Sequence, residues 1–391
     1  MKIKANRKRN LYKILGAFIT LLLLVSILIT LTPIGAYALP GTVVIPTHST
    51  QAADIPIFHP DNSVNVTNVD NSACLSCHGI DTFHLDLQNG DSFSLYVDSA
   101  KLAASIHSAL KCTDCHSAIS GYPHPEVKAT TRRDYTLALY EACKQCHFDN
   151  YTKTLDSVHY QVLEAGDQNA PVCVDCHGYH DVQNPAQPRS KISQTCEPCH
   201  QTEYNQYSTS VHGAALIQDN NTDVPVCTDC HVTHSFKNPL TPAFRFESVT
   251  ICSNCHGNAT LMKKYGISTS VVKSYLQDFH GATVSLASKE NKDIWVAEAV
   301  CTDCHGVHNI TITSSLDSPV IKQNLLHVCQ NCHPNATTNF PAAWLSHYEP
   351  SLKNATLVFL VNSFYWILIP FIVIGLLSHI FIELRRKAKK L

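Results

Sequence analysis

The sequence predicts a mainly α-helical protein with extensive loops and a transmembrane helix near the C-terminus. Short segments with apolar residues at three- and four-residue spacing predict helices over residues 95–110, 135–143, 203–215 and 261–278. No long alternation of apolar and polar residues indicates a sheet, and proline-rich stretches such as 239–242 separate the segments. One long uncharged stretch, residues 354–382, predicts the membrane span.

Residues 1–38 have the pattern of a secretory signal peptide. Six Lys and Arg residues precede or flank the start of an uncharged run at 14–31, and Ala36-Tyr37-Ala38 matches a cleavage site. Because the run is longer than that of most signal peptides, an uncleaved N-terminal anchor is the alternative. Residues 39–70, rich in Pro, Asn, Ser and Thr, are expected to form a linker.

The C-terminal stretch predicts a transmembrane helix over 354–384 and a basic tail over 385–391. The 29 uncharged residues can span a bilayer, and five of the last seven residues are Lys or Arg. The positive-inside rule places such a tail in the cytoplasm. We therefore expect a single-pass protein of the cell membrane whose residues 71–353 lie on the extracytoplasmic side, in the periplasm or at the cell surface.

The net charge of −2 hides an acidic middle region. Between residues 39 and 353 the chain has 18 Lys and Arg residues against 30 Asp and Glu residues. Proteins that bind nucleic acid carry basic surfaces, so this composition excludes nucleic acid as a partner.

Cysteine and histidine are arranged in one repeated motif. All 18 cysteines fall in nine Cys-x-x-Cys pairs, and a histidine follows each pair directly. The pairs are Cys74 and Cys77, Cys112 and Cys115, Cys143 and Cys146, Cys173 and Cys176, Cys196 and Cys199, Cys227 and Cys230, Cys252 and Cys255, Cys301 and Cys304, and Cys329 and Cys332. Two thiols at this spacing can reach both vinyl groups of one porphyrin edge, while the adjacent histidine presents its nitrogen to the iron. Zinc sites and disulfide frameworks do not need a histidine after every pair, so the pattern predicts nine covalently bound haem c groups.

The histidines that complete the motifs are the predicted proximal ligands of the haem irons: His78, His116, His147, His177, His200, His231, His256, His305 and His333. Fourteen histidines remain, and nine of them recur at two places in the repeat. These nine are the candidate distal ligands: His107, His124, His159, His180, His212, His234, His280, His308 and His347. His124 is the least regular of them, and His84 is the alternative for its role. Only Met1 and Met262 could supply a methionine ligand.

Three of the distal candidates, His180, His234 and His308, follow a motif histidine by only three residues. A link this short cannot easily reach the far face of the same iron, so we expect each of them to bind the iron of a neighbouring haem. Residues 71–353 are therefore predicted to form one nonahaem domain of repeated units. So many haems in so short a segment leave few aliphatic side chains for a core, which we expect to be largely porphyrin.

With these motifs the chain resembles the multihaem cytochrome c superfamily with doubled Cys-x-x-Cys-His motifs. The resemblance covers about residues 71–348 and rests on the attachment motifs and on the Cys-His-Gly-x-His pattern at 176–180 and 304–308. It implies haems held by two histidines each, packed in close pairs that form an electron wire. Membrane quinol dehydrogenases of this group usually carry an N-terminal anchor, whereas the clear anchor here is C-terminal.

Two functions are consistent with these ligands. If two histidines hold every iron, no iron binds a substrate, and the chain transfers electrons without catalytic residues of its own. Its expected partners are the quinone pool or a cytochrome b subunit in the membrane, and an extracytoplasmic redox partner. The alternative is an enzyme that reduces a small nitrogen or sulfur oxyanion at one open haem, although no Cys-x-x-Cys-Lys motif occurs here. His379, near the cytoplasmic end of the span, either contacts a quinone or a b-type haem or reaches the membrane interface.

Overall fold

A computed structural model describes residues 70–119, 122, 124, 129–290, 298–343, 347–353 and 355–388. The predicted signal peptide or anchor, the linker up to residue 69 and the last three residues of the basic tail lie outside the described residues. The described chain is mostly helical with long loops, which confirms the predicted fold class.

The first part of the described chain combines short helices with one hairpin. Its elements are α1 (Asn71–His78), β1 (His84–Asp86), β2 (Ser92–Ser94), α2 (Ser99–Ala104) and α3 (Cys112–Cys115). The two strands pair antiparallel, with Leu85 opposite Phe93. Strands of three residues are too short to show alternation, so the sequence does not predict them. The helix predicted over 95–110 is confined to α2, where the side chain of Asp98 caps the first turn by accepting from Ala100 and Lys101.

The middle of the chain is a series of short helices. They are α4 (Arg132–Leu139), a 3-10 helix (Tyr140–Gln145), α5 (Phe148–Leu155), α6 (Val158–Glu164), α7 (Cys173–His177), α8 (Ser190–Cys196), α9 (Gln201–Thr209), α10 (Val211–Asp219) and α11 (Cys227–Cys230). The single helix predicted over 203–215 is two helices, because Ser210 is extended with ψ 165° and its side chain caps α10 by accepting from Gly213. Buried Tyr207, Leu216 and Val226 pack together beside this break.

The last part of this region contains the longest of the motif-bearing helices described. Its elements are α12 (Pro242–His256), α13 (Ala259–Lys264), α14 (Ser270–Gln277), α15 (Phe279–Glu290), α16 (Cys301–His305), α17 (Leu325–Gln330) and α18 (Asn339–Ala343). The helix predicted over 261–278 is divided between α13 and α14, with Gly266 in the left-handed region at φ 66°. A second apolar cluster joins Phe246 and Val249 of α12 to Val284 and Val300.

The described polypeptide buries few apolar side chains by itself. Fourteen apolar residues are buried in the described ranges. Large apolar side chains next to motif or candidate distal histidines are exposed, including Phe148, Tyr179, Phe279 and Val307. Exposed apolar surface of this extent is unusual for a soluble domain and indicates that something else covers it.

The helix α19 (Thr356–Ala388) is long and apolar enough to cross a membrane. It has 33 residues and a most apolar window of mean hydropathy 2.4, with none of that window buried. At about 1.5 Å per residue it exceeds the roughly 30 Å hydrocarbon core of a bilayer. It is longer than the predicted span, because the helix continues through Arg385, Arg386 and Lys387.

Candidate haem-binding sites

Four of the nine motifs form the first turn of a short helix. The motifs are numbered here in chain order, so that motif 1 ends at His78 and motif 9 at His333. In motifs 2, 4, 6 and 8 the aspartate before the second cysteine accepts the backbone N–H of the residue before the first cysteine, at 2.7 to 2.8 Å. The four aspartates are Asp114, Asp175, Asp229 and Asp303. Residues three apart lie on one face of a helix, so this turn presents both cysteines of a motif side by side.

The cysteines of consecutive motifs lie together. None of the 18, all of which are described, forms a disulfide. Within each of the first four pairs of motifs the two leading thiols share a hydrogen bond: Cys74 with Cys112, Cys143 with Cys173, Cys196 with Cys227, and Cys252 with Cys301. In the third pair this bond and the nearby Ser193 hydroxyl lower the pKa of Cys227 to about 6.

A second kind of contact links each pair of motifs to the next. The second cysteine of an even motif lies within electrostatic range of the cysteines of the motif that follows, as Cys115 does for Cys143 and Cys146. The same holds for Cys176 with Cys199, Cys230 with Cys252, and Cys304 with Cys329. Burial is the main cause that raises the pKa of Cys230 to about 12. The nine motifs therefore form one continuous series in chain order, with two alternating contacts.

Every motif histidine faces one candidate distal histidine. Nine such ring pairs occur among the described residues, with centroids 6.0 to 6.3 Å apart. In motif order they are His78 with His124, His116 with His180, His147 with His107, His177 with His234, His200 with His159, His231 with His308, His256 with His212, His305 with His347, and His333 with His280.

This separation fits a single iron between each pair of rings. A metal-bound imidazole nitrogen lies about 2 Å from the metal and about 1 Å from its own ring centre, so two opposed ligands have centroids about 6 Å apart. Aromatic pairs in ordinary contact span a wider range, about 4.5–7 Å, so the argument rests on the narrow spread of the nine distances. The same spacing at all nine pairs indicates one common purpose, and the side chains present fit haem iron.

The partners follow a rule of two motifs. His107 follows motif 1 and faces His147 of motif 3, and motifs 5, 7 and 9 repeat this arrangement. His180 follows motif 4 and faces His116 of motif 2, and motifs 4 and 6 repeat that arrangement. The two exceptions are His124, which follows motif 2 and faces motif 1, and His347, which follows motif 9 and faces motif 8.

The segments that carry the distal candidates are joined through their backbones. The residue before His107 donates its N–H to Val182, two residues after His180, at 2.9 Å. The equivalent bonds run from Val158 to Phe236 at 2.7 Å and from Val211 to Ile310 at 2.8 Å. Each bond therefore fixes two distal histidines at once, one for an even motif and one for the odd motif that follows it.

Most of the paired histidines are held in the neutral form. Burial is the first cause that lowers the pKa of His116 and His180. Nearby histidines add to it, namely His78 and His124 at His116, and His116 and His78 at His180. Burial and the facing His256 ring lower the pKa of His212 to about 4. Further lowered pKa values, with burial again the first cause, belong to His159, His177, His231, His234, His256, His305, His308 and His347. A neutral imidazole has the free lone pair that a metal needs.

Four side chains that the sequence analysis did not single out support the motifs. Arg133, Arg189 and Arg245 form ion pairs with Asp175, Asp229 and Asp303. The side chain of Asn71 accepts from the N–H of Cys112 at 2.9 Å and donates to Leu110 at 3.0 Å. The signal for the arginines was present in the sequence, since each lies seven or ten residues before an odd motif.

The remaining candidates lie elsewhere. The Nδ1 of His84 is 2.8 Å from the carbonyl of Thr82, and none of the nine ring pairs includes His84. Met262 is buried in α13, and all nine motif histidines face other histidines instead. His379 is exposed on α19.

The comparison with protein families gives one match. Residues 166–257 match the family model of cytochrome c3. The match supports a multihaem cytochrome c. It implies haem c binding and haem-based electron transfer, and it covers motifs 4 to 7, about a quarter of the chain. No curated protein and no solved structure matches the chain significantly.

Proposed function

We propose that this chain is a membrane-anchored electron-transfer protein that holds nine haem c groups, each between two histidines. The observation that carries the proposal is the set of nine histidine pairs, all with centroids 6.0 to 6.3 Å apart. The cysteines of each motif would attach one haem, the motif histidine would bind its iron on one face, and the facing histidine would bind it on the other. When bound, haem iron supplies reversible one-electron chemistry.

The protein side chains determine what this chemistry can be. Two histidines on every iron leave no face for a substrate, so residues of this chain hold and orient cofactors and exclude ligands. The exposed apolar side chains beside the histidines, such as Tyr179 and Phe279, would pack on the porphyrins. This packing would supply most of the core, because few apolar side chains of the described residues are buried by the polypeptide itself.

The order of the motifs supports a linear path. The cysteine contacts join motif 1 to motif 9 in chain order through two alternating arrangements. His347, the partner of motif 8, lies nine residues before the start of α19. Nine residues span at most roughly 30 Å, so motif 8 lies close to the membrane. Electrons would enter there from a quinone or a cytochrome b subunit and leave near motif 1 to an extracytoplasmic acceptor.

The experiment is a haem count combined with a ligand-binding assay on the purified, detergent-solubilised full chain. Intact mass should give nine covalent haems, and the spectrum should be low-spin in both redox states. Carbon monoxide should bind little of the reduced protein, and nitrite or hydroxylamine should not be turned over. Fewer than nine haems from a strain competent for haem c assembly would contradict the attachment, while a stoichiometric carbon monoxide complex would indicate the reductase.

The membrane orientation has its own test. The basic residues at the end of α19 favour a cytoplasmic tail, with the haem domain outside the cytoplasm. A fusion of alkaline phosphatase to the C-terminus should therefore be inactive, while a fusion of a cytoplasmically fluorescent protein should be bright. The opposite pattern would place the haem domain in the cytoplasm and contradict the proposed partners.

A further inference from the structure

Three arginines make the same set of contacts in successive units. Arg133 donates through Nη1 to both carboxylate oxygens of Asp175, at 2.9 and 3.1 Å, and through Nε to the carbonyl of Gln168 at 2.6 Å. Arg189 pairs with Asp229 and also reaches the carbonyl of Val224. These two arginines precede motifs 3 and 5, and their aspartates belong to motifs 4 and 6.

Arg245 repeats the arrangement in the next unit. It donates to Asp303 at 2.5 Å and to the carbonyl of Glu298 at 2.6 Å, and it lies in α12, the helix that ends with motif 7. The arginine side chains are 17 to 32 % exposed, so solvent screens these pairs only in part. A planar guanidinium that binds a carboxylate and a carbonyl together fixes the distance between the segments that carry them.

Each arginine joins the two motifs whose first cysteines touch. Arg189, for example, is the residue before α8, which carries Cys196, and Asp229 lies in the motif of Cys227. The Cys196 and Cys227 thiols are hydrogen-bonded to each other. The ion pair and the thiol contact therefore fix the same two attachment sites at two points. We call the three arginine–aspartate pairs the clamps.

The first pair of motifs is held differently. Asn71, three residues before Cys74, binds the backbone of motif 2 through its neutral amide. Asp114 of motif 2 accepts the N–H of Lys111, and within the described residues it has no arginine partner. The residue before motif 2 is itself a cation, Lys111, where motifs 4, 6 and 8 have valine, so the first pair of motifs differs from the other three in the contacts that join it.

From the three repeated clamps we propose that they are positioning residues that also set reduction potentials: Arg133, Arg189 and Arg245 hold the haems of motifs 4, 6 and 8 at higher potential than these haems would have beside an unpaired aspartate. The inference rests on the proposed function. Reduction adds an electron to a site, and a nearby carboxylate disfavours that added negative charge. A guanidinium on the carboxylate cancels this effect, so the balanced sites are reduced more easily.

The test is a redox titration of the full-length protein with variants of the central clamp. Arg189→Gln leaves Asp229 unbalanced, so about one ninth of the haem absorbance should titrate at lower potential. We expect about a tenfold change in that reduction equilibrium, which is about 59 mV for one electron. Asp229→Asn should raise the reduction potential of the same fraction of haem relative to Arg189→Gln. The double variant, Arg189→Gln with Asp229→Asn, should have a potential near that of the wild type.

Two further variants separate charge from structure. Arg189→Lys keeps the positive charge without the planar guanidinium, so its reduction potential should be closer to that of the wild type than to that of Arg189→Gln. Lys191→Gln is the matched control, because it also removes one positive charge, two residues from Arg189. The Lys191 side chain is exposed and makes no ion pair among the described residues. It should leave the titration unchanged.

The outcomes divide clearly. A downward shift in Arg189→Gln, reversed in the double variant and absent in Lys191→Gln, supports the proposal. An unchanged curve in Arg189→Gln, an equal shift in Lys191→Gln, or shifts of the same sign in Arg189→Gln and Asp229→Asn would overturn it. Haem count and carbon monoxide binding are measured on the same samples. If the wild type lacks nine low-spin haems, it is the proposed function that fails, and the clamp result is then read separately.

Discussion

The interior of the repeat and its two ends contain the same kind of histidine pair, but the two histidines of a pair are separated by a different number of motifs. In the interior, each motif takes its partner from a segment two motifs away, as His177 does from His234. At the ends the step is one motif: His78 faces His124, and His305 faces His347. These two end pairs are also among the more nearly parallel, at 29° and 17° between ring planes.

The difference shows how a repeat with two-motif steps can stop without an unfilled ligand position. If the rule of two motifs held at the start of the repeat, motif 1 would need a histidine from a segment before the repeat. His124 would likewise need a motif before the repeat to face. The same mismatch arises at motif 8 and His347. A change of register lets each leftover histidine fill the leftover position beside it. The interior is therefore joined across two units on both sides, while each end is joined on one side only.

The largest expected effect comes from removing a whole motif in the interior and at an end. Motif 6 contacts motifs 5 and 7 through Cys227 and Cys230, whereas the described cysteine contact of motif 1 is that of Cys74 with motif 2. Replacing Cys227 and Cys230 with serine should cost more than about 4 kcal/mol of the free energy of unfolding, because two interfaces and a cofactor are lost. Replacing Cys74 and Cys77 with serine should cost less and leave eight haems.

Thermal unfolding and limited proteolysis of the two purified variants provide the comparison. The end variant should show one midpoint close to that of the wild type, and the interior variant should show early cleavage between motifs 5 and 7. Equal stability of the two variants would mean that interior and end motifs are joined to their neighbours equally strongly. That result would contradict the proposed difference between interior and ends.

An intermediate effect tests the pairing itself. Under the proposed function, in which His116 and His180 would hold the iron of motif 2, His180→Ala should open that iron and make about one ninth of the reduced haem bind carbon monoxide. Removing haem 2 by replacing Cys112 and Cys115 with serine in the same chain should abolish that binding, because no iron then lacks a ligand. Removing haem 4 through Cys173 and Cys176 should leave the signal of His180→Ala present.

The same design applies at the end of the repeat. His124→Ala should open the iron of motif 1, and the signal should disappear when Cys74 and Cys77 are replaced, and persist when Cys112 and Cys115 are replaced. Persistence in the first case would show that His124 serves another haem, such as that of motif 2. The comparison between interior and ends would then lose its basis.

Much of this arrangement is visible in the sequence, and the part that is not has a physical reason. The motif cysteines and histidines are fixed by local spacing, and recurrence alone marks His212 and its equivalents as candidates. Which histidine faces which depends on contacts 40 or more residues apart, such as the bond from Val211 to Ile310, and no local pattern encodes them. The helix breaks at Ser210 and Gly266 were missed because the apolar spacing continues across them.

The arginines were missed for another reason. A single Arg before a helix usually lies in solvent, and only its repetition beside three motifs distinguishes Arg133, Arg189 and Arg245. The long apolar helix α19 was easiest to predict, because length and hydropathy suffice without any long-range contact. Its extension to Ala388 follows from the good helix propensity of Arg, Lys and Ala in the basic tail.

The smallest expected effect concerns a single backbone bond that joins Val211 to another distal segment and has no equivalent at His280 among the described contacts. Val211→Pro removes the N–H that Val211 donates to Ile310 at 2.8 Å. Proline is tolerated there, since Val211 is the first residue of α10 and Ser210 before it is already extended, at φ −70° and ψ 165°. Relative to Val211→Ala, we expect a loss of about 1 kcal/mol, or about 2 °C in the unfolding midpoint.

Phe279→Pro is the matched control at the segment of His280. Phe279 is likewise the first residue of its helix, its predecessor Asp278 is extended, and its N–H bonds only the side chain of Asp278 among the described contacts, at 2.7 Å. Because that bond is exposed and local, Phe279→Pro should differ little in midpoint from Phe279→Ala. A larger proline penalty at Phe279 than at Val211 would show that the bond between distal segments contributes nothing particular to the interior, and that both prolines act on the helix start alone.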